Sequence, residues 1–284
     1  MGRRSCVPEA RADALRNAVA RCLRDWISRQ VEAAPAGHIP LLLVSGAQGS
    51  GKSTALEGAS AALSLPVAVA SIDDFYLTRP DREALARRVS PLLATRGPPG
   101  THDLPLLQAT LTRLRGADGA SETPVPRFDK LADDRDAPSA WRRFHGRPAA
   151  IVIEGWLMGA LPDAGAPGAP AMNSVEAEDP GGAWRQYQED ALAGGYAALW
   201  EEADAFFHIL APGFDTVLGW RLEQEAALWL SRGQAMPDGR RAWAARFIQH
   251  YERITRRMLA GTRRPGTDIH IDAQRQLVQP PQSG

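Results

Sequence analysis

The octet Gly-Ala-Gln-Gly-Ser-Gly-Lys-Ser at residues 46–53 constrains this chain more than any other feature. It matches G-x-x-x-x-G-K-[ST] without a mismatch, and it stands between an apolar run at 39–45 (IPLLLVS) and a helical segment at about 51–64. An apolar run without polar alternation suits a strand buried on both faces of a parallel sheet. A glycine-rich turn from such a strand into a helix turns backbone amides and a positive helix end toward phosphate groups. Gly46, Gly49 and Gly51 are read as positions whose backbone angles are closed to other residues. Lys52 is then placed to reach the β- and γ-phosphates, and Ser53 to offer its hydroxyl to Mg²⁺. The cofactor-binding set expected here is Gly46, Ala47, Gln48, Gly49, Ser50, Gly51, Lys52, Ser53 and Thr54.

Lysine is scarce, which raises the interest of each one. Of 33 basic residues only Lys52 and Lys130 are lysines, and an arginine fork does not replace a compact ammonium at every site. Acidic residues also number 33, so the net charge is zero, which argues against nucleic acid or an acidic membrane as partner. Cys6 and Cys22 alone make neither a zinc cluster nor a disulfide framework, which suits a reducing compartment. No apolar leader is evident and no run approaches the length of a membrane span, so a soluble cytoplasmic protein is expected. An Asn-Lys-x-Asp motif, needed for guanine selection, is missing: Asn17 and Asn173 are the asparagines, and neither precedes lysine.

Hydrophobic periodicity orders the rest of the chain. Residues 8–33 read as an amphipathic helix carrying Leu15, Val19, Leu23, Trp26 and Val31. Strands are expected at 67–72, 149–153, 205–211 and 267–271, and helices at 81–89, 104–115, 184–201 and 214–231. A further long helix carries Trp243, Phe247, Tyr251, Ile254 and Met258 on one face. Residues 116–147 read mostly as loop, and the Gly/Ala/Pro-rich stretch 159–182 as a mobile insertion. Alternating strand and helix implies an α/β fold of three layers, a mainly parallel sheet flanked by helices. The division expected is an N-terminal helical extension, 1–36, followed by a phosphate-loop domain, 37–284.

Two further strand ends carry carboxylates. Asp73 and Asp74 follow the second strand, where parallel sheets bind ligands, and can hold Mg²⁺ or take a proton from a hydroxyl. Glu154 closes the hydrophobic run Ile151-Val152-Ile153 and is placed to bind Mg²⁺ through water.

Four blocks in order, SIDDFYLT (71–78), LLATRGPPGTHDLPLLQATL (92–111), VPRFDKLADDR (125–135) and IVIEGWLMG (151–159), resemble the D-glycerate 3-kinase family. That family belongs with phosphoribulokinase, uridine kinase and pantothenate kinase, and the resemblance runs from about residue 40 to 271. It implies a P-loop NTPase fold and transfer of the γ-phosphoryl group of ATP, with Mg²⁺, to the 3-hydroxyl of D-glycerate. It also implies that Asp73 is the base that activates the hydroxyl, with Asp74 as a helper. Asp74, Tyr76, Arg96, His102, Asp103, Arg127 and Lys130 fall in blocks that build the acceptor pocket. Arg221, with Arg232, Arg240 and Arg241 beyond it, falls where related kinases close arginines over the phosphates. The expected catalytic set is Asp73, Lys52 and Arg221, and the metal set Ser53, Asp73 and Glu154. Two alternatives stand beside this reading: a kinase for a nucleoside, pantothenate or polyol, and a nucleotide-binding regulator or chaperone ATPase.

Overall fold

The structure, a computed structural model, describes residues 7–230 and 233–278, with side chains from residue 18 onward except Leu228. Cys6, the Leu15 side chain and Arg232 lie outside the described residues.

The apolar runs become the sheet. Strands β1 (Leu41–Gly46), β2 (Val67–Ser71), β7 (Ala150–Gly155), β8 (Ala205–Leu210), β9 (Thr267–Ile271) and β10 (Leu277–Val278) line up in the order β10-β9-β8-β1-β7-β2. All pairings are parallel except β9–β10. Every residue of the neighbouring inner strands β1 and β7 is buried, as a strand covered on both faces requires. The edge strand β2 instead alternates buried with half-buried.

Helices α1 (Val7–Ala33), α2 (Lys52–Ala61), α3 (Arg79–Arg88), α4 (Leu104–Arg115), α5 (Ala183–Ala191), α6 (Ala197–Glu201), α7 (Phe214–Leu230), α8 (Asp238–Gln249) and α9 (Glu252–Leu259) flank the sheet. One hydrophobic cluster joins Leu23, Trp26 and Ile27 of α1 to β1, α2, α4 and α7. Trp26 lies 5.2 Å from the Phe207 ring of β8. Complete burial of Leu23 and Ile27 stabilises the fold by about 1.5–3 kcal/mol each. These α1 side chains share one hydrophobic cluster with the sheet. Among the described residues, no helix is long and apolar enough to cross a membrane.

Three segments differ from the sequence expectation. Residues 116–147 hold two small antiparallel pairs, β3 (Glu122–Val125) with β6 (Arg142–His145), and β4 (Phe128–Asp129) with β5 (Asp134–Arg135). The long helix breaks at His250-Tyr251 into α8 and α9. Residues 159–182 are packed, not a loose insertion: Val175 is fully buried and Glu176, also buried, pairs with Arg253. The buried Arg185 guanidinium donates to the Asp179 carboxylate and to the carbonyl oxygens of Ala166, Ala169 and Asp179.

Candidate active site

Parallel register sets the site. Glu154 pairs with Val44 on one side and with Ser71 on the other, so β1, β7 and β2 end nearly level. Beyond Ser71 the chain enters a short 3-10 turn, Ile72–Phe75, where the Ser71 hydroxyl accepts the Asp73 N–H at 3.3 Å. Beyond Gly46 the phosphate loop leads into α2, with Gly49 at φ 81° and Gly51 at φ 84°. Both angles lie in the left-handed region that favours glycine. Gly46 does not share them. Its requirement is space, since a Cβ there would sit 2.8 Å from Ser50 Oγ.

The functional side chains meet over these strand ends. The Ser53 hydroxyl donates to Glu154 Oε1 at 2.9 Å, and Lys52 Nζ stands 3.6 Å from Glu154 Oε2. Asp73 accepts from the Tyr76 hydroxyl at Oδ1 and from Lys130 Nζ at Oδ2, both at 2.7 Å. Burial pushes the Asp73 carboxyl up, but the ammonium groups of Lys130 and Lys52 and these two hydrogen bonds outweigh it. The carboxyl is held well below the ordinary carboxylate range.

Two arginines complete the enclosure. Arg96 pairs with Asp133 and lies between the Phe128 and Phe247 rings, 5.6 and 5.7 Å from their centroids. Arg221 pairs with the buried Glu225 and lies 5.1 Å from the Phe247 centroid. Glu225 also accepts from Arg240 Nε at 2.8 Å. Gln48, Gly49, Lys52, Ser53, Asp73, Tyr76, Arg96, Lys130, Glu154 and Arg221 share one cavity of about 140 Å³, closed further by Trp156, Gln224, Phe247 and Tyr251. A larger open groove of about 690 Å³ runs beside β2 and shares Ser53, Asp73, Lys130 and Glu154 with it.

Several polar atoms here have no hydrogen-bond partner among the described residues: both amide atoms of Gln48, Ser50 Oγ, Glu154 Oε2 and Arg221 Nε. An unsatisfied buried polar atom costs about 1–3 kcal/mol. The donors among them, Gln48 Nε2, Ser50 Oγ and Arg221 Nε, suit a bound polyanion. The Ser53 hydroxyl and the Glu154 carboxylate are hard oxygen donors. Among the described residues no cluster of three or more His, Cys, Asp or Glu could cage a metal, so these donors fit an ion that keeps waters and phosphate oxygens.

Comparison with known proteins decides the family. No family model matches the chain. An uncharacterized kinase of Schizosaccharomyces pombe is 32% identical over 234 residues, covering 76% of this chain and 80% of its own. The chloroplastic D-glycerate 3-kinase of Arabidopsis thaliana is 32% identical over 213 residues, 70% of this chain, which matches 44% of that longer protein. The chain belongs to the D-glycerate 3-kinase family of P-loop kinases. The solved D-glycerate 3-kinase of Cryptococcus neoformans shares the fold, with a TM-score of 0.74 and 23% identity over 92% of this chain and 98% of its own. Membership makes the chain a phosphotransferase.

In this D-glycerate 3-kinase family member, four expected acceptor residues stand apart from the small cavity. Asp74 accepts the Phe128 N–H at 3.2 Å and Arg142 at 2.9 Å, tying β4 and β6 to the turn after β2. His102 is buried behind Tyr76, its ring stacked at 4.8 Å and its Nδ1 2.6 Å from the Tyr196 hydroxyl. Asp103 caps α4 through the Leu106 N–H and pairs with Arg135 at 3.0 Å. Arg127 is 63% exposed and faces Asp136, on the rim of the larger groove. Phe247 and Tyr251 went unassigned because their four-residue spacing reads as a core-facing helix stripe. Asp133, which holds Arg96, had no local signal. Its positive φ of 56° is visible only in the fold.

Proposed function

We propose that the chain transfers the γ-phosphoryl group of ATP to the 3-hydroxyl of D-glycerate. One observation carries this reading: a 140 Å³ cavity lined by Lys52, Arg96, Lys130 and Arg221 around a single aspartate, Asp73. Pockets for drug-sized ligands run to about 300–1,000 Å³, so this one suits a molecule of a few carbons. Four cations against two lining carboxylates, Asp73 and Glu154, favour an acceptor that is itself an anion. The 32% identity to the chloroplastic D-glycerate 3-kinase supports the same substrate.

Asp73 takes the proton from the acceptor hydroxyl as the oxygen attacks phosphorus. Lys52 and Arg221 stabilise charge on the transferring group. Arg96 holds the acceptor carboxylate, and Tyr76 fixes the Asp73 rotamer from the side away from Lys130. Ser53 and Glu154 would hold Mg²⁺, which neutralises phosphate charge when bound.

The larger groove favours a second reading. Its apolar wall, Val67, Val69, Leu114, Val125 and Phe144, has room for a nucleoside-sized acceptor approaching the same Asp73. A coupled ADP-release assay over D-glycerate, other hydroxy acids, polyols, nucleosides and pantothenate tests both. D-Glycerate should show the highest kcat/KM. A nucleoside ahead of every hydroxy acid would move the acceptor to the groove, and ADP release indifferent to all acceptors would favour a regulatory ATPase.

A further inference from the structure

The two oxygens of Asp73 are held by partners of opposite mobility. Tyr76, on Oδ1, is 3% exposed and wedged between the rings of His102, at 4.8 Å, and Phe128, at 5.1 Å. Lys130, on Oδ2, has a side chain 60% exposed, with a flexible four-carbon stem. Its backbone is nevertheless anchored. Asp129 Oδ1 accepts the N–H groups of Leu131 and Ala132, Asp133 pairs with Arg82 and Arg96, and Arg135 donates to the Tyr76 carbonyl and to Asp103. The ammonium can therefore swing away from Asp73 while the β4–β5 turn stays in place.

The other cations of the cavity hold carboxylates outside the proton-transfer point: Lys52 faces Glu154, Arg96 Asp133, and Arg221 Glu225. Lys130 alone among them hydrogen-bonds Asp73, on the approach to Oδ2. A hydroxyl that reaches Oδ2 competes with it.

We infer that Lys130 selects acceptors by charge, covering the Asp73 base until an acceptor's own carboxylate draws the ammonium away. The inference rests on the reading of Asp73 as base. An anionic hydroxy acid brings a replacement counter-charge into the same small cavity, so Lys130 exchanges one carboxylate for another. Water and neutral polyols bring none and meet a covered base. The contact thereby suppresses hydrolysis of the donor nucleotide and discriminates against uncharged alcohols of the same size.

Lys130→Met, Lys130→Arg and the wild type separate this from simple substrate binding. Uncovering Asp73 should raise acceptor-independent ADP release about two- to fivefold in Lys130→Met, the worth of an exposed ion pair. In the same variant the kcat/KM ratio of D-glycerate to glycerol should fall by at least about tenfold, because the carboxylate loses a charged partner. Lys130→Arg keeps the charge and should release less ADP than Lys130→Met. Hydrolysis at or below wild type in Lys130→Met overturns the inference, as does equal hydrolysis in the Arg and Met variants. The hydrolysis arm needs no acceptor. If D-glycerate proves not to be a substrate, the proposed function fails while the role of Lys130 is still decided.

Discussion

Ser53 and Glu154, 101 residues apart in the chain, are joined by a 2.9 Å hydrogen bond from the serine hydroxyl to Oε1. The contact exists because β1 and β7 are parallel neighbours, which brings the start of α2 against the end of β7. Among the described residues Glu154 Oε2 has no hydrogen-bond partner, which leaves it the oxygen a hydrated cation would use.

Removing either oxygen should therefore weaken the metal requirement more than nucleotide binding. In Ser53→Ala and Glu154→Gln, the Mg²⁺ concentration for half-maximal rate should rise about tenfold, as loss of a hydrogen bond to a charged group implies. Nucleotide affinity, measured by calorimetry without metal, should stay within about threefold. An unchanged Mg²⁺ titration in both variants would remove Glu154 and Ser53 from the metal site.

Lys52 is mostly buried, yet its ammonium serves Glu154 and the phosphate loop rather than the hydrophobic core. Lys52→Ala should abolish transfer and leave thermal unfolding nearly unaltered. Lys52→Arg should fail as well, because the planar fork is too broad for the loop. Near-wild-type turnover in either variant contradicts the assignment.

Arg96 is held by Asp133 and two aromatic rings, so it is preorganised for an anion. Arg96→Gln should raise KM for the acceptor about 10–100-fold, the worth of a charge-assisted hydrogen bond, with kcat changed much less. A loss confined to kcat would place Arg96 on the phosphoryl group instead.

Acid should destabilise the fold through two histidines. Burial lowers His102 and His250 to about 4, against 6.5 for the free side chain. Between these values the unfolded chain binds more protons, so this stability is complete above about pH 6.5 and is lost as pH falls toward about 4. Each histidine contributes a slope of at most about 1.4 kcal/mol per pH unit. Urea midpoints at pH 7, 6 and 5 should fall in step, and His250→Gln should flatten the trend. An undiminished slope in that variant would contradict its burial as a neutral ring.

Much of this arrangement was legible in the residues. Buried parallel strands read as unbroken apolar runs, so β1, β2, β7, β8 and β9 could be placed, and the glycine-rich octet marked the turn between β1 and α2. The β4–β5 turn was not legible. Its strands are two residues each, and it is anchored by Asp133, Asp134 and Arg135 reaching to distant partners. Such pairings leave no periodicity. The bend at His250-Tyr251 was hidden for the opposite reason, because the apolar spacing of Phe247, Tyr251 and Ile254 continues through it. Asp74, adjacent to Asp73, shows the limit of proximity: its carboxylate turns to Arg142 and the Phe128 N–H.

The comparison of Asp73→Asn with Asp74→Asn tests the central claim most directly, as single-turnover transfer to D-glycerate alongside nucleotide affinity. If Asp73 is the base, Asp73→Asn cuts the rate by about 10²–10⁴-fold, the range of general-base catalysis, with nucleotide affinity nearly unchanged. Asp74→Asn, which loosens the tie to β4 and β6, should cost far less. A larger loss in Asp74→Asn, or wild-type transfer in Asp73→Asn, would contradict the account.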